Sequence, residues 1–190
     1  MIIKPSIEKF FTKTQTLGFG KKYNFQVESI DGIPVSLNSD YFLYAQSLRL
    51  PTRRINTTNV PYKAFEFVVP TNASYTDNSN WSLTFFSDNQ SLIRTVFEEW
   101  SKIIYNEQTQ KTQNVDFASC KIVFNLLPDV VENTANDQVN LKQYTIEGAF
   151  PTLLDGIEYN ITNTGTEVIT FTVTFAYQYF TTKLKPLKAD

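Results

Sequence analysis

The feature that most constrains this chain lies near its end. Ile169, Phe171, Val173, Phe175, Tyr177 and Tyr179 alternate with Thr170, Thr172, Thr174, Ala176 and Gln178. A period of two puts successive side chains on opposite faces of an extended strand. One face is then bulky and aromatic, the other small and rich in hydroxyls. A helix would mix the two sets on every side, so the run demands a β-sheet with one buried face. It also exceeds the usual strand of about five or six residues. A strand that long often extends past its own sheet, or bends.

Weaker copies of the pattern recur upstream. Tyr23, Phe25 and Val27 alternate with Asn24, Gln26 and Glu28, and Asp31-Gly32 then predicts a hairpin turn. Pro34 places the start of a returning strand at an edge or delays it. Tyr41 to Leu50 reads as a second apolar run closed by Pro51, and Ala64 to Val69 as a third closed by Pro70. Trp81, Leu83 and Phe85 alternate with Ser82, Thr84 and Phe86. Phe117 to Leu127 and Leu141 to Ala149 complete the series.

One segment changes period. Ile93, Val96, Phe97, Trp100, Ile103 and Ile104 follow helical spacing, with Arg94, Glu98, Glu99 and Lys102 on the wetter side and Asp88 as N-cap. A short helix is expected over Ser6 to Thr14, ended by Gly18 and Gly20. Polar stretches at Pro51–Pro61, Asn72–Asn80, Asn106–Asn114 and Pro128–Asn140 read as loops. The pattern as a whole predicts a mainly β, two-sheet sandwich or barrel-like domain with one flanking amphipathic helix at about 88–105. With 190 residues, and neither repeat nor linker, it is one domain over 1–190. Residues 1–22 form an N-terminal arm, and 181–190 a basic tail with Lys183, Lys185 and Lys188.

Chemistry is scarce. Histidine is absent, which removes Ser-His-Asp and Cys-His catalysis and most catalytic zinc sites. No nucleophile elbow, phosphate-binding glycine loop or zincin motif occurs. Glu98 and Glu99 diverge by about 100° on a helix and do not converge on one substrate. Cys120, the only cysteine, is expected to be buried and inert, and a reducing compartment is expected. No enzymatic activity, cofactor or metal is therefore expected. The N-terminus has no signal-peptide core, and no apolar run is long enough to span a membrane. Five Asn-x-Ser/Thr sequons are put down to an Asn- and Thr-rich composition. Lys and Arg total 17 against 19 Asp and Glu, so no basic field draws in nucleic acid. Two groups remain as candidate inter-subunit contacts: Arg49, Arg53 and Arg54 around Pro51, and the threonine face of Thr170, Thr172 and Thr174.

Five segments, in order, resemble the contractile-tail tube proteins of T4-type phages. They are Asn24-Phe25-Gln26-Val27-Glu28, Ala45 through Leu50-Pro51, and Trp81-Ser82-Leu83-Thr84-Phe85-Phe86-Ser87-Asp88. The last of these leads into a helix with Phe97 and Trp100 three apart. Glu147-Gly148-Ala149-Phe150-Pro151-Thr152 and the closing strand follow. The segments span most of Tyr23 to Phe180. The chain departs from the family by greater length near Asn72–Asn80 and Pro128–Asn140, and by the basic tail. Tube proteins of type VI secretion and injection systems are similar in fold.

The resemblance implies a structural subunit that forms stacked hexameric rings with a conduit for DNA. Its partners would be further copies, the tail sheath and the baseplate, with DNA passing through the lumen without specific binding. It would reside in the virion tail after assembly in the host bacterial cytoplasm, with no membrane contact. The alternatives are a tube-fold subunit of the baseplate or tail terminus, and a monomeric β-sandwich that binds carbohydrate or protein.

Overall fold

Strand-forming residues organise a computed structural model in which residues 22, 24–112, 119–127, 140–159 and 168–186 are described. In chain order these carry β1 (Phe25–Asp31), a 3-10 helix (Ser39–Tyr44), β2 (Ala45–Leu48), β3 (Arg54–Tyr62), β4 (Phe65–Ser74) and β5 (Trp81–Phe86). Helix α1 (Leu92–Ile104), the short β6 (Tyr105–Asn106) and β7 (Lys111–Thr112), and β8 (Lys121–Leu126) follow. β9 (Asn140–Glu147), β10 (Phe150–Leu154), β11 (Thr170–Ala176) and β12 (Tyr179–Pro186) close the chain. The chain is mainly β, as its periodicity predicts.

Two four-stranded antiparallel sheets make the body. The first has the order β1-β8-β9-β12, the second β10-β11-β5-β2. Their facing sides supply alternate residues to one core. Val27, Ile122, Phe124, Tyr144 and Ile146 come from the first sheet, and Trp81, Leu83, Phe85, Phe171, Val173 and Phe175 from the second. Trp81 stacks on Phe124 across the gap, with ring centroids 6.0 Å apart. Helix α1 covers the rest of the second sheet's inner side. Its Phe97 lies 5.3 Å from Phe85 and 6.1 Å from Phe175, and its Trp100 lies 6.0 Å from Phe175. Edge-to-face and offset arrangements of this kind add to the burial of apolar area. Cys120 is fully buried in the same core.

The long closing run is two strands, not one. β11 belongs to the second sheet and β12 to the first, and the chain crosses between them at Tyr177-Gln178. The even alternation fails there. Tyr177 is buried, whereas Tyr179 is 48% exposed. A matching crossing joins β9 to β10 at Gly148, whose φ of +66° suits glycine. The two corners touch through Gln178 N–H donating to the Glu147 carbonyl at 3.0 Å. The stretch read as a basic tail from residue 181 is strand as far as Pro186, paired with β9. Lys185 lies 3.0 Å from Glu28.

Several other expectations are corrected. Asp31-Gly32 does not turn a hairpin. β1 pairs with β8 instead, and the strand after Pro34, β2, begins only at Ala45, at a sheet edge, and pairs with β5 rather than with β1. Gly32 is still required, with φ +71° and a hypothetical Cβ only 2.2 Å from the Ser119 carbonyl oxygen. The run from Tyr41 opens as a 3-10 helix, because the Asn38 side chain accepts the Asp40 N–H and starts a turn. The expected N-cap Asp88 stands three residues before the helical N-cap position, which is Ser91. It nevertheless does the capping, accepting the N–H groups of Gln90, Leu92 and Ile93. Partial burial raises its pKa, but these donors outweigh that and hold it below the ordinary 3.8. The helix expected at Ser6–Thr14, the arm over 1–22 apart from residue 22, and the loop from Pro128 to residue 139 lie outside the described residues.

Candidate assembly surface

The largest departure from expectation is a two-stranded ribbon. The run Ala64–Val69 is strand as expected, within β4, but β4 continues past Pro70 through Asn72 to Ser74, and Pro51–Pro61, read as a loop, holds most of β3, which runs to Tyr62. The prolines hid these parts. Pro61 and Pro70 both sit inside strands, pairing with Glu66 and Thr57. A two-stranded ribbon has an open edge on each strand, and an edge tolerates a residue without N–H. The turn is Lys63-Ala64, with Lys63 at φ +54° and no glycine to announce it.

Opposed residues in a ladder share a face. The ladder pairs Tyr62 with Phe65, Val60 with Phe67, and Thr58 with Val69. One face of the ribbon is thus apolar and aromatic. It is bare, with Phe65 70%, Tyr62 59% and Phe67 51% exposed. Among the described residues no other element packs along it. At about 3.3 Å per residue, nine or ten residues reach about 30 Å from the body.

The root of the ribbon is held firmly. Asp77, 7% exposed, receives the Thr52 N–H on both carboxylate oxygens at 3.1 and 3.0 Å, and the Tyr177 hydroxyl at 2.5 Å. Thr52 leads into β3, Asp77 follows β4, and Tyr177 is the corner between β11 and β12. One carboxylate therefore ties both feet of the ribbon to the place where the sheets meet. Burial, and then the Asp77 bond, push the Tyr177 hydroxyl well above its ordinary pKa, so it stays a donor. The Trp81 indole N–H adds a bond to the Arg49 carbonyl at 2.5 Å. Nothing in the polar run around Asp77 marks it as buried. The only hint was its distance from any helix that it could cap.

The predicted contact residues fall on two surfaces. Arg49, Arg53 and Arg54 are all exposed. Arg54 opens β3, the other two stand on the connector to the ribbon, and among the described residues none forms an ion pair. Thr170, Thr172 and Thr174 lie on the outer side of the second sheet, away from the core. Thr170 is exposed and the other two half-buried. Thr172 Oγ1 meets Thr84 Oγ1 at 3.1 Å, and Ser47 opposes Thr84 on β2. Thr174 opposes Ser82 and Leu153. This outer face carries no charged side chain on its paired positions. The outer face of the first sheet is the reverse. There Glu28 receives Asn125, Gln143 and Lys185, a polar chain that crosses all four strands. The Asn125 bond comes first among the causes that hold Glu28 below its ordinary 4.5, joined by Lys185 and Gln143 and opposed by desolvation.

Three or more His, Cys, Asp or Glu side chains nowhere gather to hold a metal among the described residues. No described helix is long and apolar enough to cross a membrane.

Comparison with known proteins bears on these surfaces. A family model described as phage tail tube protein matches residues 16–183. A search of curated proteins finds no match. Among solved structures, the chain is similar to one of an extracellular contractile injection system, the PVC sheath–tube complex in its extended state. The TM-score is 0.56 at 12% identity, covering 95% of this chain and 99% of that one. It is also similar to the tube-terminating cap of the anti-feeding prophage, with a TM-score of 0.56 at 15% identity over 87% of this chain and 91% of that one. A chain of the same particle's baseplate gives 0.54 at 13% identity, over 87% and 95%.

Proposed function

The chain belongs to the phage tail tube protein family, and from that premise we propose that it builds stacked hexameric rings whose central channel passes DNA. The family is structural and not enzymatic. The observation that carries the proposal is the open second sheet. Its order ends in β10 on one side and β2 on the other, and among the described residues neither strand pairs outward. Edges of this kind invite pairing with another chain. A β2 edge laid on the β10 edge of the next copy is a heterologous contact, which closes into a ring when the rotation fits.

The outer face of that sheet then becomes the wall of the channel, with Thr170, Thr172 and Thr174 on it. A hydroxyl surface without cations suits a polyanion that must slide, because each Lys or Arg against phosphate adds counterion-release affinity. Arg49, Arg53 and Arg54, near the ribbon root, contact neighbouring copies, and the ribbon reaches the next ring. The charged outer face of the first sheet meets the sheath, and the tube starts on a baseplate. The chain forms one tube-type domain over 1–190. Its place is the virion tail, assembled in the host bacterial cytoplasm. The cap among the structural neighbours favours a second reading, a subunit that ends the tube rather than lengthening it.

Negative-stain microscopy with analytical ultracentrifugation of the purified chain tests this. Hexameric rings or tubes support the first reading, and single rings that never stack support the second. A monomer at every concentration overturns both and leaves a monomeric binding module.

A further inference from the structure

The sandwich is closed on one side and open on the other. The crossings at Gly148 and at Tyr177-Gln178 join the sheets where β9 meets β10 and β11 meets β12. On the opposite side the outermost strands are β1 and β2, and among the described residues they do not pair with each other. A groove of about 800 Å³ lies there, with Phe25, Leu126, Ala45, Leu48, Leu50 and Phe86 on its walls. Burial of the inward-facing side chains fails toward this groove. On β1, Val27 is buried and Phe25 half-buried, and on β8 Phe124 is buried and Leu126 half-buried. Leu48 is half-buried although Leu83, its partner on β5, is sealed. Leu50 is 43% exposed. The core therefore runs out into the groove without a cover, and apolar surface of that kind marks a docking site.

We propose that the cover is the chain's own N-terminal segment, with Ile7, Phe10 and Phe11 seated against Phe25, Leu48 and Leu126. The described chain begins on the groove itself, because Lys22 and Asn24 belong to its walls. The segment upstream thus starts at the site that it fills. Its sequence has the matching chemistry. Ile7, Phe10 and Phe11 stand at i, i+3 and i+4 among Ser6, Glu8, Lys9 and Thr12. That spacing gathers three apolar side chains on one side of a helical turn. Lys22 is the one charged residue among the described groove walls and is exposed, so seating them leaves no charge buried. Eleven residues separate Phe11 from Lys22. At about 3.3 Å per extended residue that is ample length to fold back over a groove that begins at Lys22. Gly18 and Gly20 lie in this connection and admit a tight reversal. A tethered occupant acts at a high effective concentration, so each chain fills its own groove before that of another copy. The family match starts at residue 16, so the three anchors lie ahead of the stretch that this chain shares with the family. The contact is within one chain; it goes beyond the tube reading and does not rest on it.

A benzophenone side chain in place of Phe10, in full-length protein mixed from isotope-labelled and unlabelled chains, maps the contact by mass spectrometry. The expected crosslinks reach residues 25, 48, 50 or 126 and stay within one chain, so none joins labelled to unlabelled protein. Amide exchange checks it independently. Phe10→Asp combined with Phe11→Asp should speed exchange in β1 and β2 at least about tenfold and leave α1 unchanged, whereas Phe10→Leu keeps the parent's protection. Crosslinks that fall elsewhere, or that join labelled to unlabelled chains, overturn the proposal. So does exchange in β1 and β2 that matches the parent chain, or exchange that quickens equally in α1.

Discussion

The β5–β11 pair in the body and the β3–β4 ribbon use the same vocabulary. Both are antiparallel, both alternate, and both set Phe and Val on one face. In the body that face is under 3% exposed at Phe85, Phe171, Val173 and Phe175. In the ribbon it is 44 to 70% exposed at Val60, Phe67, Tyr62 and Phe65. The difference is not in the strands but in what lies over them. A second sheet and helix α1 cover the first pair, and among the described residues no element covers the other. A period-two pattern specifies that a face will be buried. It does not specify whether the cover comes from the same molecule.

The contrast can be broken from the body side first. Phe175 is fully buried against Trp81, Phe97 and Trp100. Phe175→Ala should cost about 3–5 kcal/mol in a chemical denaturation curve, for lost transfer energy and the cavity left behind. A loss under about 1 kcal/mol would mean that the core is not the rigid half of the comparison. The next largest effect belongs to the root. Asp77→Ala strands the Tyr177 hydroxyl and the Thr52 N–H, and should cost about 3 kcal/mol. Amide exchange should speed up at Thr52 and in the ribbon while β5 stays protected. Uniform exchange would show that the latch serves the whole body.

A smaller effect is tied to pH. Asp88 is held below its ordinary 3.8 by the helix N–H groups. Its capping is complete above that value and disappears as the pH falls through the lower folded-state pKa. Asp88→Ala should therefore cost about 1 kcal/mol at neutral pH and progressively less as the pH falls below 3.8, measured by denaturant midpoint. The smallest effect on the monomer is at the ribbon. Phe65→Ser should change its stability by at most about 0.5 kcal/mol, since a side chain 70% exposed loses little on removal. An unstable monomer would show that the ribbon is packed in solution, and would erase the contrast.

What could be read in advance followed the same line. The helix was legible because Ile93, Phe97 and Trp100 repeat on one side, and all three are buried. The two-sheet core was legible in Trp81, Leu83 and Phe85 and in Phe171, Val173 and Phe175. Partners distant in sequence were not. β1 pairs with β8, about ninety residues away, so the turn signal at Asp31-Gly32 pointed to the wrong neighbour. Of the ribbon, β4 was legible in the run Ala64 to Val69, whereas β3 was hidden by its proline and by a turn without glycine. A stricter count would have found it, because Val60 and Tyr62 alternate up to Lys63-Ala64, and Phe65, Phe67 and Val69 alternate away. Of the candidate contacts, the three threonines do lie outside the core. Whether a face is covered by another copy depends on a surface of that copy, and no local period encodes it.

The two adjoining crossings, at Gly148 and at Tyr177-Gln178, have a mechanical consequence. β9–β10 and β12–β11 form one continuous bent pair that belongs to both sheets in turn. The two sheets of the subunit are therefore joined by covalent backbone and not only by side chains in contact. A push along one sheet reaches the other through the chain itself, without sliding the core. The Asp77 bond to Tyr177 puts the ribbon on the same load path. A subunit built this way carries load as one stiff unit, and not as two sheets that slide on each other.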